Sequence, residues 1–201
     1  GAGGDVTVVW ARMQDGKVGG FLVEQDTPGY HAEVITVKVS LRAIHQAHIR
    51  LTDCRIPAAN KLPGANSFRD TSRVLEAARA GVAWSAFGHG LAAYEIALSY
   101  ASERTQFGRP LAENQIIQQR LADMLTDVSN MALQCRQLAR LEEAGDLSGP
   151  QAAMAKVHNT RAARRIVADA RDMLGGSGIL LENHVVRHFA DMEALHTFEG
   201  T

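Results

Sequence analysis

Apolar and polar positions change their spacing once along this chain. Up to Asn60 they come in short, partly alternating runs, the period of strands. Val6-Thr7-Val8-Val9-Trp10-Ala11-Arg12 is rich in β-branched residues, Asp15-Gly16 reads as a turn, and Gly20-Phe21-Leu22-Val23-Glu24 follows, which predicts a hairpin. Thr27-Pro28-Gly29 marks another turn, and Glu33–Lys38 and Ala47–Leu51 predict two further strands. Beyond Phe68 the apolar positions recur every three or four residues. This predicts long helices over about 70–102, 114–144 and 151–174, and a shorter one over about 182–194. The second carries Ile117, Leu121, Met124, Val128, Met131, Cys135 and Leu138, a stripe that predicts a bundle seam.

Strands come first and helices after them, an α+β order that disfavours a doubly wound nucleotide-binding sheet. The expected division is a β segment over 1–60 and a helical segment over 61–201. The β segment has too few strands to close, and the bundle stops short, so the chain is expected to be a piece of something larger.

The composition suits a packed core: 46% of the 201 residues are hydrophobic and 21% charged. Lys and Arg number 21 against 22 acids, a net charge of −1, which argues against a nucleic-acid binder. Cys54 and Cys135 are too few for a disulfide scaffold and fit a reducing compartment. No apolar run has the roughly 20 residues that span a bilayer. Gly1-Ala2-Gly3-Gly4 is neither a signal nor a transit peptide, which favours a bacterial cytoplasm.

Three stretches can carry chemistry, each beside a plainer reading. Arg104-Thr105-Gln106-Phe107-Gly108-Arg109-Pro110 with Gln115 is either a phosphate clamp or a polar turn between helices. Gly175-Gly176-Ser177-Gly178 either admits a ligand close to the backbone or simply caps a helix. Glu199, between Phe198 and Gly200, is either a partly desolvated base or a surface carboxylate. His184 and His188 have one-face spacing with Asp191 nearby, but neither a glutamate after the first histidine nor a third histidine at suitable distance supports a metal site, and packing is the better account. Trp10 and Trp84 are expected in the core, Cys135 on the apolar seam and Cys54 in a strand.

Together, in this order, these stretches resemble the acyl-CoA dehydrogenase family. The resemblance rests on Arg104-Thr105-Gln106-Phe107-Gly108-Arg109-Pro110-Leu111, Asn114-Gln115-Ile116-Ile117-Gln118, Arg171-Asp172-Met173-Leu174-Gly175-Gly176-Ser177-Gly178-Ile179 and Phe198-Glu199-Gly200-Thr201. Leu62-Pro63-Gly64, Ala78-Arg79-Ala80-Gly81-Val82-Ala83-Trp84 and His184-Val185-Val186-Arg187-His188 are most similar to the glutaryl-CoA dehydrogenase branch and related short-chain acyl-CoA oxidases. The implied fold is the latter part of a middle, barrel-like β-domain followed by an antiparallel C-terminal helical bundle. The family's N-terminal helical domain lies outside the chain.

The resemblance implies a role for each matching position. Glu199 is the base that removes an α-proton from an acyl-CoA thioester, while FAD takes the β-hydride and Gly200 leaves room for the thioester. Arg79 and Ser72 face the substrate. Arg104, Gln106, Phe107, Gln115, Asp172, Met173, Leu174, Gly175, Gly176 and Thr201 hold FAD, in part across a subunit interface. Implied with them are a homotetramer or dimer, electron-transfer flavoprotein as partner, and a place in fatty acid or amino acid catabolism. The compartment is bacterial cytoplasm, or the mitochondrial matrix of a eukaryote. Ser177 and Phe198 stand where the branch more often has Asn and Tyr. Rival readings are an oxygen-using short-chain acyl-CoA oxidase and a non-catalytic helical assembly module. Which acyl group is taken, and whether glutaryl-CoA is decarboxylated to crotonyl-CoA, stays open.

Overall fold

The structure is a computed structural model and describes residues 2–200. The chain divides into two compact units, Gly1–Leu75 and Glu76–Thr201.

In the first unit, β1 (Val6–Arg12) and β2 (Val18–Glu24) pair antiparallel, with Val6 opposite Glu24 and Arg12 opposite Val18. Asp15-Gly16 turns the chain as predicted, with Gly16 at φ +80 and its N–H donating to the Met13 carbonyl at 2.9 Å. Position 20 is glycine because a Cβ there would stand 2.8 Å from that of Ala65, whose carbonyl accepts the Gly20 N–H at 3.1 Å. β3 (Tyr30–Val34) and β4 (Ala47–Leu51) form a second antiparallel ladder. β3 starts earlier than predicted because Tyr30 is the anchored residue: its buried side chain shares a 2.8 Å hydrogen bond with Thr7. It ends at Val34, and Val37 beyond it is 95% exposed. Cys54 follows β4 rather than lying within a strand.

The helices are α1 (Phe68–Glu103), α2 (Gln115–Ala144), α3 (Gly149–Met173) and α4 (Val185–Thr197). Their ends follow from local chemistry. At the start of α1, the Asp70 carboxylate accepts the Asn66 and Ser67 N–H groups at 3.0 and 2.9 Å. α2 ends in a Schellman turn: Gly145 takes φ +75, and the Asp146 N–H reaches the Leu141 carbonyl at 2.8 Å. α3 opens with a Ser148–Gln151 capping box and a proline in its first turn. α4 begins three residues later than predicted, because Leu181–Asn183 forms a separate short turn and His184 then adopts φ +60.

The helical unit packs through a stripe of small residues on α1. Ala83, Ala86, Ala93, Ala97 and Ala101 are at most 1% exposed. At Gly90 a Cβ would already lie 3.3 Å from Ile166 and 3.5 Å from Met131. The predicted α2 seam is buried from Met124 to Leu138, and Ile117 and Leu121 flank the same core. Side chains such as Met131 and Ile166, 0% and 1% exposed, contribute roughly 1.5–3 kcal/mol each. Trp84 departs from expectation: it is 44% exposed, its ring edge against Phe87 at 6.1 Å, because its position lies beside rather than on the alanine stripe.

Candidate active site

α4 ends at Thr197, and the chain then bends through Glu199 at φ +57 and Gly200 at φ +90. Left-handed backbone is ordinary for glycine but costs a residue such as glutamate roughly 1–2 kcal/mol. Two cations hold the bend by its main chain. Arg79 on α1 donates from Nε to the Glu199 carbonyl at 3.2 Å. Lys156 on α3 donates from Nζ to the His196 carbonyl at 2.7 Å and to the Gly200 carbonyl at 2.5 Å. The glutamate is half-buried, and among the described residues its Oε2 is buried with no hydrogen-bond partner. That oxygen is therefore not committed to any hydrogen bond within the chain.

Lys156 was not legible as a site residue from the motifs. It is 2% exposed. Burial pushes its ammonium below the ordinary lysine value, the charge of Arg79 pushes it further, and the charge of Glu199 opposes both. Beside it, His196 Nδ1 shares a 3.2 Å hydrogen bond with Thr160 Oγ1. Burial, with Arg164 and Lys156, holds this imidazole below the usual histidine value, Glu193 opposing. The available signal was periodicity: Lys156 falls on the buried stripe of α3 with Ala152, Ala155, Asn159 and Ala163.

A second cluster forms where α1 and α3 end. β5 (Thr105–Gln106) and β6 (Arg109–Pro110) make a minimal hairpin turned by Phe107 at φ +53 and Gly108 at φ +79, both left-handed as a type I′ turn requires. Arg104 and Gln106 meet Met173, Leu174, Gly175 and Gly176 around a pocket of about 390 Å³. Gly175 is at φ +54, and a Cβ at Gly175 or Gly176 would meet nothing within 4 Å, so the pocket wall there is bare main chain. Gly178 differs: a Cβ there would run into the Arg171 carbonyl oxygen, so glycine is needed to close the turn on the helix.

The remaining expected positions stand apart from this pocket's lining. Phe107 sits fully exposed at the hairpin tip, and Gln115 is the exposed first residue of α2. Asp172 points outward to Arg120 at 2.7 Å and Arg171 at 3.3 Å, and the Arg120 hydrogen bond holds its carboxyl below the usual range. Ser72 lies on α1 within the first unit and is half-buried. Thr201 lies outside the described residues. His188 pairs with His89 of α1, their Nδ1 atoms 2.9 Å apart.

Residues 68–201 match the model of the acyl-CoA dehydrogenase C-terminal domain. The chain belongs to the acyl-CoA dehydrogenase family. It spans about half the length of the relatives it matches. The NADH-dependent acryloyl-CoA reductase of Anaerotignum propionicum is 31% identical over 98% of this chain and 51% of its own length. The human mitochondrial short-chain specific acyl-CoA dehydrogenase is 34% identical over 94% of this chain and 46% of its own. A crystal structure of glutaryl-CoA dehydrogenase from Mycobacterium smegmatis superposes with a TM-score of 0.95 at 41% identity, over 98% of this chain and 51% of that one. A second structure of a glutaryl-CoA dehydrogenase from that organism, in complex with FADH2, gives 0.95 at 36% over the same shares. Small antiparallel sheets followed by a helical bundle are the architecture this chain shares with that family.

Proposed function

We propose that the protein carrying this chain is an FAD-dependent acyl-CoA dehydrogenase that introduces an α,β double bond into a short acyl-CoA, with Glu199 as the base. One observation carries the reading: among the described residues, Glu199 presents a buried carboxylate oxygen without a hydrogen-bond partner, on a bend whose main-chain carbonyls are held by Arg79 and Lys156. Glu199 accepts the α-proton, and its own N–H is the donor assigned to the thioester carbonyl, where negative charge grows as the proton leaves. Bare Gly200, at φ +90, leaves room beside it for the thioester. Arg79 holds the base-bearing main chain and places positive charge near the developing enolate.

The glycine-walled pocket fits the phosphate-bearing end of FAD. Arg104 supplies a planar cation, Gln106 a directional amide, and Gly175-Gly176 open main chain. FAD, when bound, supplies the acceptor for the β-hydride. Phe107, fully exposed at the tip of its hairpin, supports contact with a neighbouring subunit and hence a dimer or tetramer. Glutaryl-CoA with decarboxylation is the finer substrate assignment, supported by 41% identity to a glutaryl-CoA dehydrogenase. Electron-transfer flavoprotein is the proposed partner. Among the described residues no helix is long and apolar enough to cross a membrane. A bacterial cytoplasm or a mitochondrial matrix is the proposed compartment.

The test is Glu199→Gln in the whole protein. The variant should keep its flavin absorbance and lose exchange of the acyl-CoA α-proton with solvent; retained exchange refutes the assignment. Anaerobic reduction followed by air separates the oxidase reading, since rapid reoxidation with peroxide release would favour it.

A further inference from the structure

We propose that Lys156 is a positioning residue that fixes the conformation of the base-bearing bend, an inference that rests on Glu199 being the base. The geometry is specific. A single ammonium bridges the last turn of α4, at the His196 carbonyl, and the residue after the base, at the Gly200 carbonyl. Glu199 lies between those two tethers in the chain, and Arg79 binds its own carbonyl. The bend passes through two successive left-handed residues, one of them not glycine, so it needs outside support to persist.

Lys156 is an unusual choice for this task. It sits on the buried stripe of α3 and is 2% exposed, where an unpaired cation is costly. Two main-chain carbonyls and the negative end of the α4 dipole offset that cost. A neutral residue of the same length fills the space but provides no such bridge. The cation also spends its bonds on carbonyls and leaves the Glu199 Oε2 without a partner. Positive charge therefore stays beside the carboxylate without tying it up. A direct ion pair would occupy the carboxylate oxygen that is left open here.

The experiment compares Lys156→Met, Lys156→Arg and Glu199→Gln in the whole protein, using amide hydrogen exchange and α-proton exchange of butyryl-CoA in heavy water. Lys156→Met should speed amide exchange at residues 196–200 at least about tenfold and leave the α1–α3 amides unchanged. It should slow α-proton exchange on the order of 30- to 100-fold while the apparent KM for butyryl-CoA stays within about threefold, the signature of a misplaced base rather than weakened binding. Lys156→Arg should recover most of both properties. Unchanged protection at 196–200 in Lys156→Met overturns the proposal, and so does a uniform loss of protection across every helix. If Glu199→Gln retains α-proton exchange, the base assignment falls by itself, while the amide-exchange arm still decides whether Lys156 anchors the bend.

Discussion

Gly178 and Gly176 are two residues apart, yet adding a methyl group to each should do opposite things. At Gly178 the new Cβ meets the Arg171 carbonyl oxygen inside any tolerable contact distance, and both partners are backbone, so the turn itself must move. Overpacking of this kind costs about 1–3 kcal/mol. The movement also strains the bonds that close the turn: Ser177 N–H to the Leu174 carbonyl at 3.1 Å and Asn183 Nδ2 to the Ser177 carbonyl at 2.9 Å. Losing one adds about 1 kcal/mol. Gly178→Ala should therefore destabilise by roughly 2–4 kcal/mol, a fall in Tm of roughly 5–15 °C for a chain of this length. At Gly176 a Cβ meets nothing within 4 Å and φ is not left-handed, so Gly176→Ala should hold the parent Tm within about 2 °C. Its methyl group instead intrudes on the bare pocket wall, and it should weaken FAD binding at least about tenfold, read from quenching of flavin fluorescence on the whole protein. Thermal unfolding followed by circular dichroism at 222 nm gives the first quantity. A Gly178→Ala protein that melts with the parent would refute the steric argument. A Gly176→Ala protein that binds FAD normally would remove the pocket from the cofactor site.

Two further outcomes follow from buried titratable groups. The His89 and His188 Nδ1 atoms are 2.9 Å apart, so one must donate and the other accept, and a second proton breaks the bond. Burial pushes both below the ordinary histidine value of 6.5; His89, His184 and Arg187 push His188 further, and Asp191 opposes for each. The unfolded chain therefore takes up protons at higher pH than the folded one, and stability is full above the unfolded value and declines as pH falls below it. Tm should drop as pH falls below the ordinary histidine value of 6.5, and His188→Gln should flatten that slope; an unchanged slope refutes the pair as its source. Cys135 is 0% exposed, and burial pushes its thiol up to about 11 against the hydrogen bond from Asn159. Iodoacetamide near neutral pH should label Cys54 alone in the folded chain and both cysteines in guanidinium. Rapid labelling of Cys135 in the folded chain would contradict the seam.

The change from alternating to helical spacing was enough to order the architecture: a hairpin, then three long helices and a short one. The Met124–Leu138 seam was readable for the same reason, since apolar residues spaced four and three apart have no other stable place than a bundle core. The short motifs around Arg104, Gly175 and Glu199 were visible too, but spacing alone left each of them an ordinary turn or a surface acid. Tertiary packing decided what surrounds them. Arg104 and Gly176 are 72 residues apart, the difference of their numbers in the sequence, and line one pocket only because α1 and α3 end side by side. The support of Glu199 comes from Arg79 and Lys156, on two other helices. No local pattern encodes those bonds: a lysine on an apolar stripe signals only that something must satisfy its charge, and the carbonyls that do so are supplied by a helix end that arrives through folding.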